Sequence, residues 1–378
     1  MQVNRYHIMI LLLVLCGSCI EPFTPQSEES QNVLVINGFI SDMDGPHQVE
    51  ISRSTPFNNP HFVPVSGCVV AVEDETGQMV EYIEISPGIY ETNLEPGFLQ
   101  VGKSYALYAS TPEGKEYRSD YETMLACAPI DRIYYEEEQQ GTANPDVSLK
   151  GIQFYTDVKG TSETASNYRW QLEETWEYTA PYLADFIWYG KGVLPYNSDS
   201  TYECHITTEV KGLFSASSRY LSVNLLNRHP LHYVSNKTPR LKIRYSVLVD
   251  QHSLSNEAFD YWDKMESQTS EGGGLYDSQP SSAIGNIYNV NDPTEEVMGY
   301  FYATQIKQER LTLVPHFEFE IEGYTCNLDT IENFADLNNE FPHFFIAIDT
   351  TEGPPFIYGG KECFDCRLFG GSLTPPDF

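Results

Sequence analysis

In the run from Tyr168 to Tyr178, YRWQLEETWEY, the even positions are mostly aromatic or aliphatic. The odd positions are Arg169, Gln171, Glu173, Thr175 and Glu177. Side chains of a β-strand point alternately to opposite faces, so a period of two demands an extended chain with one buried and one wet face. Arg240 to Val249 alternates in the same way, Leu311 to Ile321 forms a further strand interrupted at Pro315, and Phe344 to Ile348 another.

The N-terminal part carries shorter strands between Gly and Pro turns. These are Val33 to Ile40, the alternating Val49 and Ile51, Cys68 to Val72, Val80 to Ile85, Gly88 to Thr92 and Tyr105 to Ala109. This spacing predicts an immunoglobulin-like β-sandwich over 33–127, with a larger β-rich, sandwich-like domain over 128–378 opening at Ala128-Pro129-Ile130-Asp131. One helix is predicted over 256–268, with Ser255 as N-cap, Phe259, Trp262 and Met265 on one face, and Glu271-Gly272-Gly273-Gly274 as its stop. No repeat of fixed period is visible, so the fold class is all-β with a minor helix. At 378 residues with 41% hydrophobic content the chain can bury such cores.

The first residues are an address rather than a fold. Arg5 precedes an unbroken apolar run from Ile8 to Cys16, too short to span a bilayer core of roughly 30 Å. It ends in Leu15-Cys16-Gly17-Ser18-Cys19, two small residues before a cysteine, as in a bacterial lipobox. Residues 1–18 thus read as a signal peptide and Cys19 as the lipidated residue. Cys16, preceded by the bulky Leu15, is the poorer acceptor. The alternative is an ordinary signal peptide with an incidental cysteine. Residues 19–32, polar and rich in Pro, Ser and Glu, read as a tether that begins at the lipidated cysteine.

Charge narrows the partners. With 22 basic against 54 acidic residues the net charge is −32, which repels polyphosphates and excludes a general nucleic-acid binder. No motif implies a cofactor or a metal.

Six cysteines remain in the mature chain: Cys68, Cys127, Cys204, Cys326, Cys363 and Cys366. An even number in an exported chain reads as disulfides. Cys68 is expected to join Cys127 inside the first domain, leaving four in the second. Cys363-Phe364-Asp365-Cys366 also has the spacing of a redox pair or half a zinc site. It lacks both a second ligand pair and the αβ setting of a redox motif.

Catalytic signatures are weak. GxxxxGK[ST], GxSxG and HExxH are absent, and Gly272–Gly274 follows a helix instead of preceding one. His229 and His232 flank Pro230 and read as a loop. Glu173 and Glu177 share a face that reads as solvated, poor support for a glycosidase pair. Asp42-Met43-Asp44-Gly45 lacks the remaining acids of a calcium loop and reads as a turn. Glu136-Glu137-Glu138 reads as a solvated strand edge. Tyr182, Phe186, Trp188 and Tyr189, near Pro181 and Gly190, are the candidates for an exposed ligand platform, with core packing as the alternative.

Several segments together resemble a family of Bacteroidota outer-membrane lipoproteins labelled a domain of unknown function. They are Cys19-Ile-Glu-Pro-Phe, Leu34-Val-Ile-Asn-Gly38-Phe-Ile, Tyr168-Arg-Trp170, Tyr261-Trp262, Gln279-Pro280-Ser281, Gly285-Asn286-Ile287, Gly299-Tyr300-Phe301 and Cys363-Phe-Asp-Cys366-Arg367. Each is weak alone, and their order across the mature chain is specific. The resemblance implies an accessory lipoprotein beside a SusC-like, TonB-dependent receptor and supplies no catalytic residues. Its glycines and Asn286 read as turn and close-approach positions. The expected function is non-enzymatic capture of a nutrient for, or assistance to, such a transporter. The alternatives are a structural or adhesive envelope protein and, behind it, a surface glycan or peptide hydrolase.

Overall fold

The computed structural model describes residues 32–55, 61–142, 144, 148–270, 283–337, 342–346, 355–376 and 378. The signal peptide, Cys19, most of the tether, the expected helix stop and Gln279-Pro280-Ser281 lie outside them. Among the described residues the strands form five sheets with one α-helix, so the fold is all-β and sandwich-like.

In the first sandwich, Leu34–Ser41 pairs antiparallel with His47–Arg53, and the sheet continues through Ile89–Thr92 to Ile83–Ser86. The facing sheet holds Met79–Glu81, Val69–Asp74, Ser104–Ser110 and Glu116–Ser119. Alternation drives their packing: Ile36, Val49 and Tyr90 from one sheet meet Val72, Tyr105 and Leu107 from the other, all buried. Each such side chain contributes about 1.5–3 kcal/mol of burial.

This sandwich is not the contiguous stretch 33–127. Val297–Met298 and Phe301–Thr304 return to lie parallel to Leu34–Ser41, and Ile287–Asn289 pairs with Glu116–Ser119. Parallel pairing needs a long crossover, and nothing local near Leu34 announces a partner so distant in the chain. The close approach explains Gly299, whose φ of +102° lies in the left-handed region and whose added Cβ would collide with the Ile36 carbonyl. Asn286 binds Phe301 like a second backbone, its Nδ2 donating to Phe301 O (2.7 Å) and its Oδ1 accepting from Phe301 N (3.0 Å).

The second sandwich packs a three-stranded sheet (Ile130–Gly141, Ser148–Lys159, Leu225–Ser235) on a sheet built around Asn167–Thr179. That central strand pairs with Arg244–Leu254, Glu203–Glu209 and Phe214–Ser217, and Ile306–Leu313 closes the edge. Tyr168, Trp170, Leu172, Trp176 and Tyr178 are buried as the alternation requires. Phe154 stacks on Tyr245 at 5.6 Å across the core.

Three sequence expectations need correction here. The odd face is not uniformly wet: Arg169 and Thr175 are buried, because the helix and the returning strand cover one end and Thr207 meets Thr175 at 2.9 Å. His229 and His232 lie on the edge strand Leu225–Ser235, not in a loop, and register shifts opposite Pro230 accommodate the proline. The strand expected over Leu311 to Ile321 ends at Leu313, before Pro315.

The helix Asn256–Ser270 starts where expected, Ser255 Oγ accepting from Ala258 N at 3.0 Å. It buries Ala258, Phe259 and Tyr261 against Tyr300 and Tyr302 of the returning segment. A small fifth sheet holds Phe186–Trp188, Val193–Pro195, Asp329–Ile331, His343–Phe345 and Phe356–Gly359.

Gln305, the one residue between Phe301–Thr304 and Ile306–Leu313, joins the sandwiches. Its Nε2 donates to Asp42 Oδ2 (2.8 Å) and its Oε1 accepts from Cys127 N (3.0 Å). Asp42, in the turn after Leu34–Ser41, also accepts from Ile306 N at 2.9 Å.

Candidate functional site

A cleft of about 400 Å³ opens where the two sandwiches and the helix meet. Phe39, Arg169, Trp262, Tyr300 and Tyr302 form its apolar and cationic wall, and Gln48, Glu50, Gln171 and Glu209 bring polar groups around it. The size suits a small ligand.

Topology assembles this wall. Parallel pairing sets Phe39 opposite Tyr302, and their rings stack at 5.3 Å. Tyr300 packs its ring on Tyr261 at 4.9 Å and donates its hydroxyl to the buried carboxylate of Glu122. Burial pushes the Glu122 carboxyl up, with the hydrogen bonds from Tyr300 and Ser255 opposing that shift.

Arg169 is the chemical centre. It is 8% exposed, its Nη1 donates to Tyr302 Oη at 2.8 Å, and its Cζ lies 4.0 Å from the Trp262 ring centroid. Its Nε and the Trp262 Nε1 are buried without an acceptor. Among the described residues no carboxylate forms an ion pair with Arg169. Behind it, His252 is held well below its usual pKa by burial, with the positive charge of Arg169 adding to the effect, so its ring is neutral. A guanidinium, ring faces and hydrogen-bonding side chains are equipment for holding a ligand.

The sequence-derived candidates fall elsewhere. Cys19 lies outside the described residues. Tyr182 and Tyr189 are exposed, Trp188 stacks on Phe334 at 5.1 Å, and Phe186 sits opposite Phe345 in the small sheet. None of the four lines the cleft. The alternation placed Arg169 on a wet face, and the helical spacing placed Trp262 only on one face of the helix with Phe259 and Met265. The segments that carry the family resemblance nevertheless supply Phe39, Arg169, Trp262 and Tyr300.

The cysteine pairing also differs from expectation. Cys68 and Cys127 are not bonded: Cys68 is half-buried in the first sandwich, while Cys127 is buried in the core of the second. Burial pushes both thiols up, that of Cys127 to about 11. The disulfides are Cys204–Cys366 and Cys326–Cys363, with Cα separations of 5.7 and 5.5 Å. Successive 3₁₀ turns, Lys361–Cys363 and Cys366–Phe369, send the two thiols of the CxxC to different partners, so it is neither a redox pair nor a half zinc site. Cys204–Cys366 ties the C-terminal tail to Glu203–Glu209, where Ser372 and His205 exchange backbone hydrogen bonds, and Arg244 of the neighbouring strand region lies 3.7 Å from the Phe378 ring centroid. Cys326–Cys363 ties the tail to the segment before Asp329–Ile331.

The other charged candidates are engaged. His229 stacks on Trp170 at 4.6 Å and burial lowers its pKa to about 4. His232 Nε2 lies 3.4 Å from Glu174. Glu136 and Glu138 both bind Arg228, a non-glycine residue with a positive φ of 51°. Among the described residues no cluster of three His, Cys, Asp or Glu gathers to hold a metal, and no helix is long and apolar enough to cross a membrane.

No curated protein matches the chain. Among solved structures, a trypsin-activated alpha-2-macroglobulin from Escherichia coli shares 12% identity over 60% of this chain and 15% of its own, with a TM-score of 0.18. The chain thus spans a small part of that protein's length. Residues 20–310 match the family described as a domain of unknown function (DUF4249), and the chain belongs to that family.

Proposed function

We propose that this protein is a non-enzymatic binding protein, lipid-anchored through Cys19 at the cell surface of the outer membrane, that captures a nutrient for or assists a TonB-dependent transporter. The observation that carries the binding role is the cleft between the sandwiches, with rings on its wall and Arg169 among them. The lipobox-like Leu15-Cys16-Gly17-Ser18-Cys19 supports the anchor. Acyl chains contribute about 0.8 kcal/mol per buried methylene, so a multiply acylated cysteine holds stably to a bilayer. Tethering raises the local concentration at a transporter mouth, and a modest intrinsic affinity then suffices.

Two measurements test this reading. Cys19→Ala is expected to move the protein out of the membrane fraction, and retention there contradicts the anchor. Crosslinking in intact cells is expected to recover a TonB-dependent receptor, and recovery of no outer-membrane receptor contradicts the transporter role.

A further inference from the structure

Arg169 presents an unsettled charge balance. It is 8% exposed, and a buried guanidinium without a counter-ion carries a heavy desolvation cost. The Trp262 face and the Tyr302 hydroxyl offset part of this, since both offer partial negative charge. Neither is an anion, and the neutral His252 behind Arg169 supplies none. Two donor-only groups, Arg169 Nε and Trp262 Nε1, are left without acceptors in the same wall.

We propose that the cleft takes a ligand bearing a single carboxylate on a ring-shaped body. The carboxylate supplies the counter-charge that Arg169 lacks, and the ring stacks on Phe39 and Trp262. The assignment rests on the cleft being the binding site, and it names the ligand's chemistry.

Three features select this class. A planar guanidinium matches a carboxylate in charge and in fork geometry. Exposed Glu50 and Glu209 on the same cleft, on a chain of net charge −32, repel ligands of higher negative charge. Those carboxylates are acceptors and suit neutral hydroxyl or amide donors on the remainder of the ligand. A wholly neutral ligand would leave Arg169 without its counter-ion.

The test uses the full mature chain in detergent, titrated at constant ionic strength with benzoate, benzamide and inorganic phosphate. Tryptophan fluorescence and the thermal midpoint are both read. Benzoate is expected to give a saturable response in both, with benzamide and phosphate at least about five-fold weaker. Arg169→Gln is expected to weaken benzoate by about ten-fold or more.

Glu209→Gln, at an exposed position that leaves folding intact, is expected to tighten benzoate about two- to five-fold by removing a repelling charge. Equal responses to benzoate and benzamide, equal responses to benzoate and phosphate, no saturable response, or unchanged benzoate affinity in Glu209→Gln would each overturn the assignment. If benzoate fails while a crosslinker placed in the cleft still captures a small molecule in cells, the carboxylate assignment falls and the binding role stands.

Discussion

Arg169 lies over the ring of Trp262, the guanidinium carbon 4.0 Å from the indole centroid, one on the central strand of the second sandwich and the other on the helix. Such a contact is worth about 0.5–2 kcal/mol, depending on how dry it is. Tyr302 fixes the guanidinium from a third element, the strand that returns to the first sandwich. The cleft wall thus forms only when both sandwiches are in place.

That dependence predicts the behaviour of fragments. Residues 32–127 alone lack the strands that pair with Leu34–Ser41 and Glu116–Ser119, and they expose the inner surface that Phe301 and Ile287 cover. The fragment is expected to show no cooperative thermal transition, and fusing residues 283–304 to it is expected to restore one. Calorimetry checks this, and a cooperative transition in 32–127 alone contradicts the discontinuous sandwich.

The disulfide arrangement predicts a reactivity order. Non-reducing peptide mapping is expected to return Cys204–Cys366 and Cys326–Cys363. In the native protein Cys68 is expected to alkylate slowly, and Cys127, whose thiol is pushed up to about 11, only on unfolding. Replacing both Cys204 and Cys366 by Ser is expected to cost about 2–5 kcal/mol in denaturant unfolding. Recovery of a Cys68–Cys127 peptide refutes this arrangement.

Strand alternation was a reliable guide where one face is buried by a single partner sheet, as at Trp170, Trp176 and Tyr178. It failed where a third element covers the opposite face. Arg169 reads as solvated because the helix and the segment 297–304 that bury it are remote in sequence. The first sandwich was legible in its hairpins, whose turns are local, and illegible in its parallel edge. The even number of cysteines pointed to crosslinks without showing which pairs are near in space.

Glu174 illustrates the same limit and gives a pH prediction. It occupies an even, core-facing position, where Arg240 Nη1 (2.9 Å), His232 Nε2 (3.4 Å) and the Tyr245 hydroxyl (2.7 Å) surround it. Burial pushes its carboxyl up, but His232, Arg240 and Tyr245 together hold it below the ordinary value of 4.5.

A carboxyl lowered in the folded state contributes stability that is full above 4.5 and is lost as pH falls through its lower folded value. Glu174→Gln is expected to cost about 3–5 kcal/mol at neutral pH, because Arg240 is left uncompensated. The difference from the native chain is expected to shrink on acidification. Urea unfolding on both sides of pH 4.5 checks this, and a pH-independent difference contradicts it.

The central claim is that the cleft between the sandwiches holds a ligand at the cell surface. Its most direct test places a photoreactive benzoylphenylalanine at Gln48, exposed and lining the cleft, and in a separate variant at exposed Val314, which does not line it. After illumination of growing cells, intact-protein mass spectrometry is expected to show a discrete small-molecule adduct on the Gln48 variant and none on the Val314 variant. No adduct at Gln48, or the same adducts at both positions, would contradict the account.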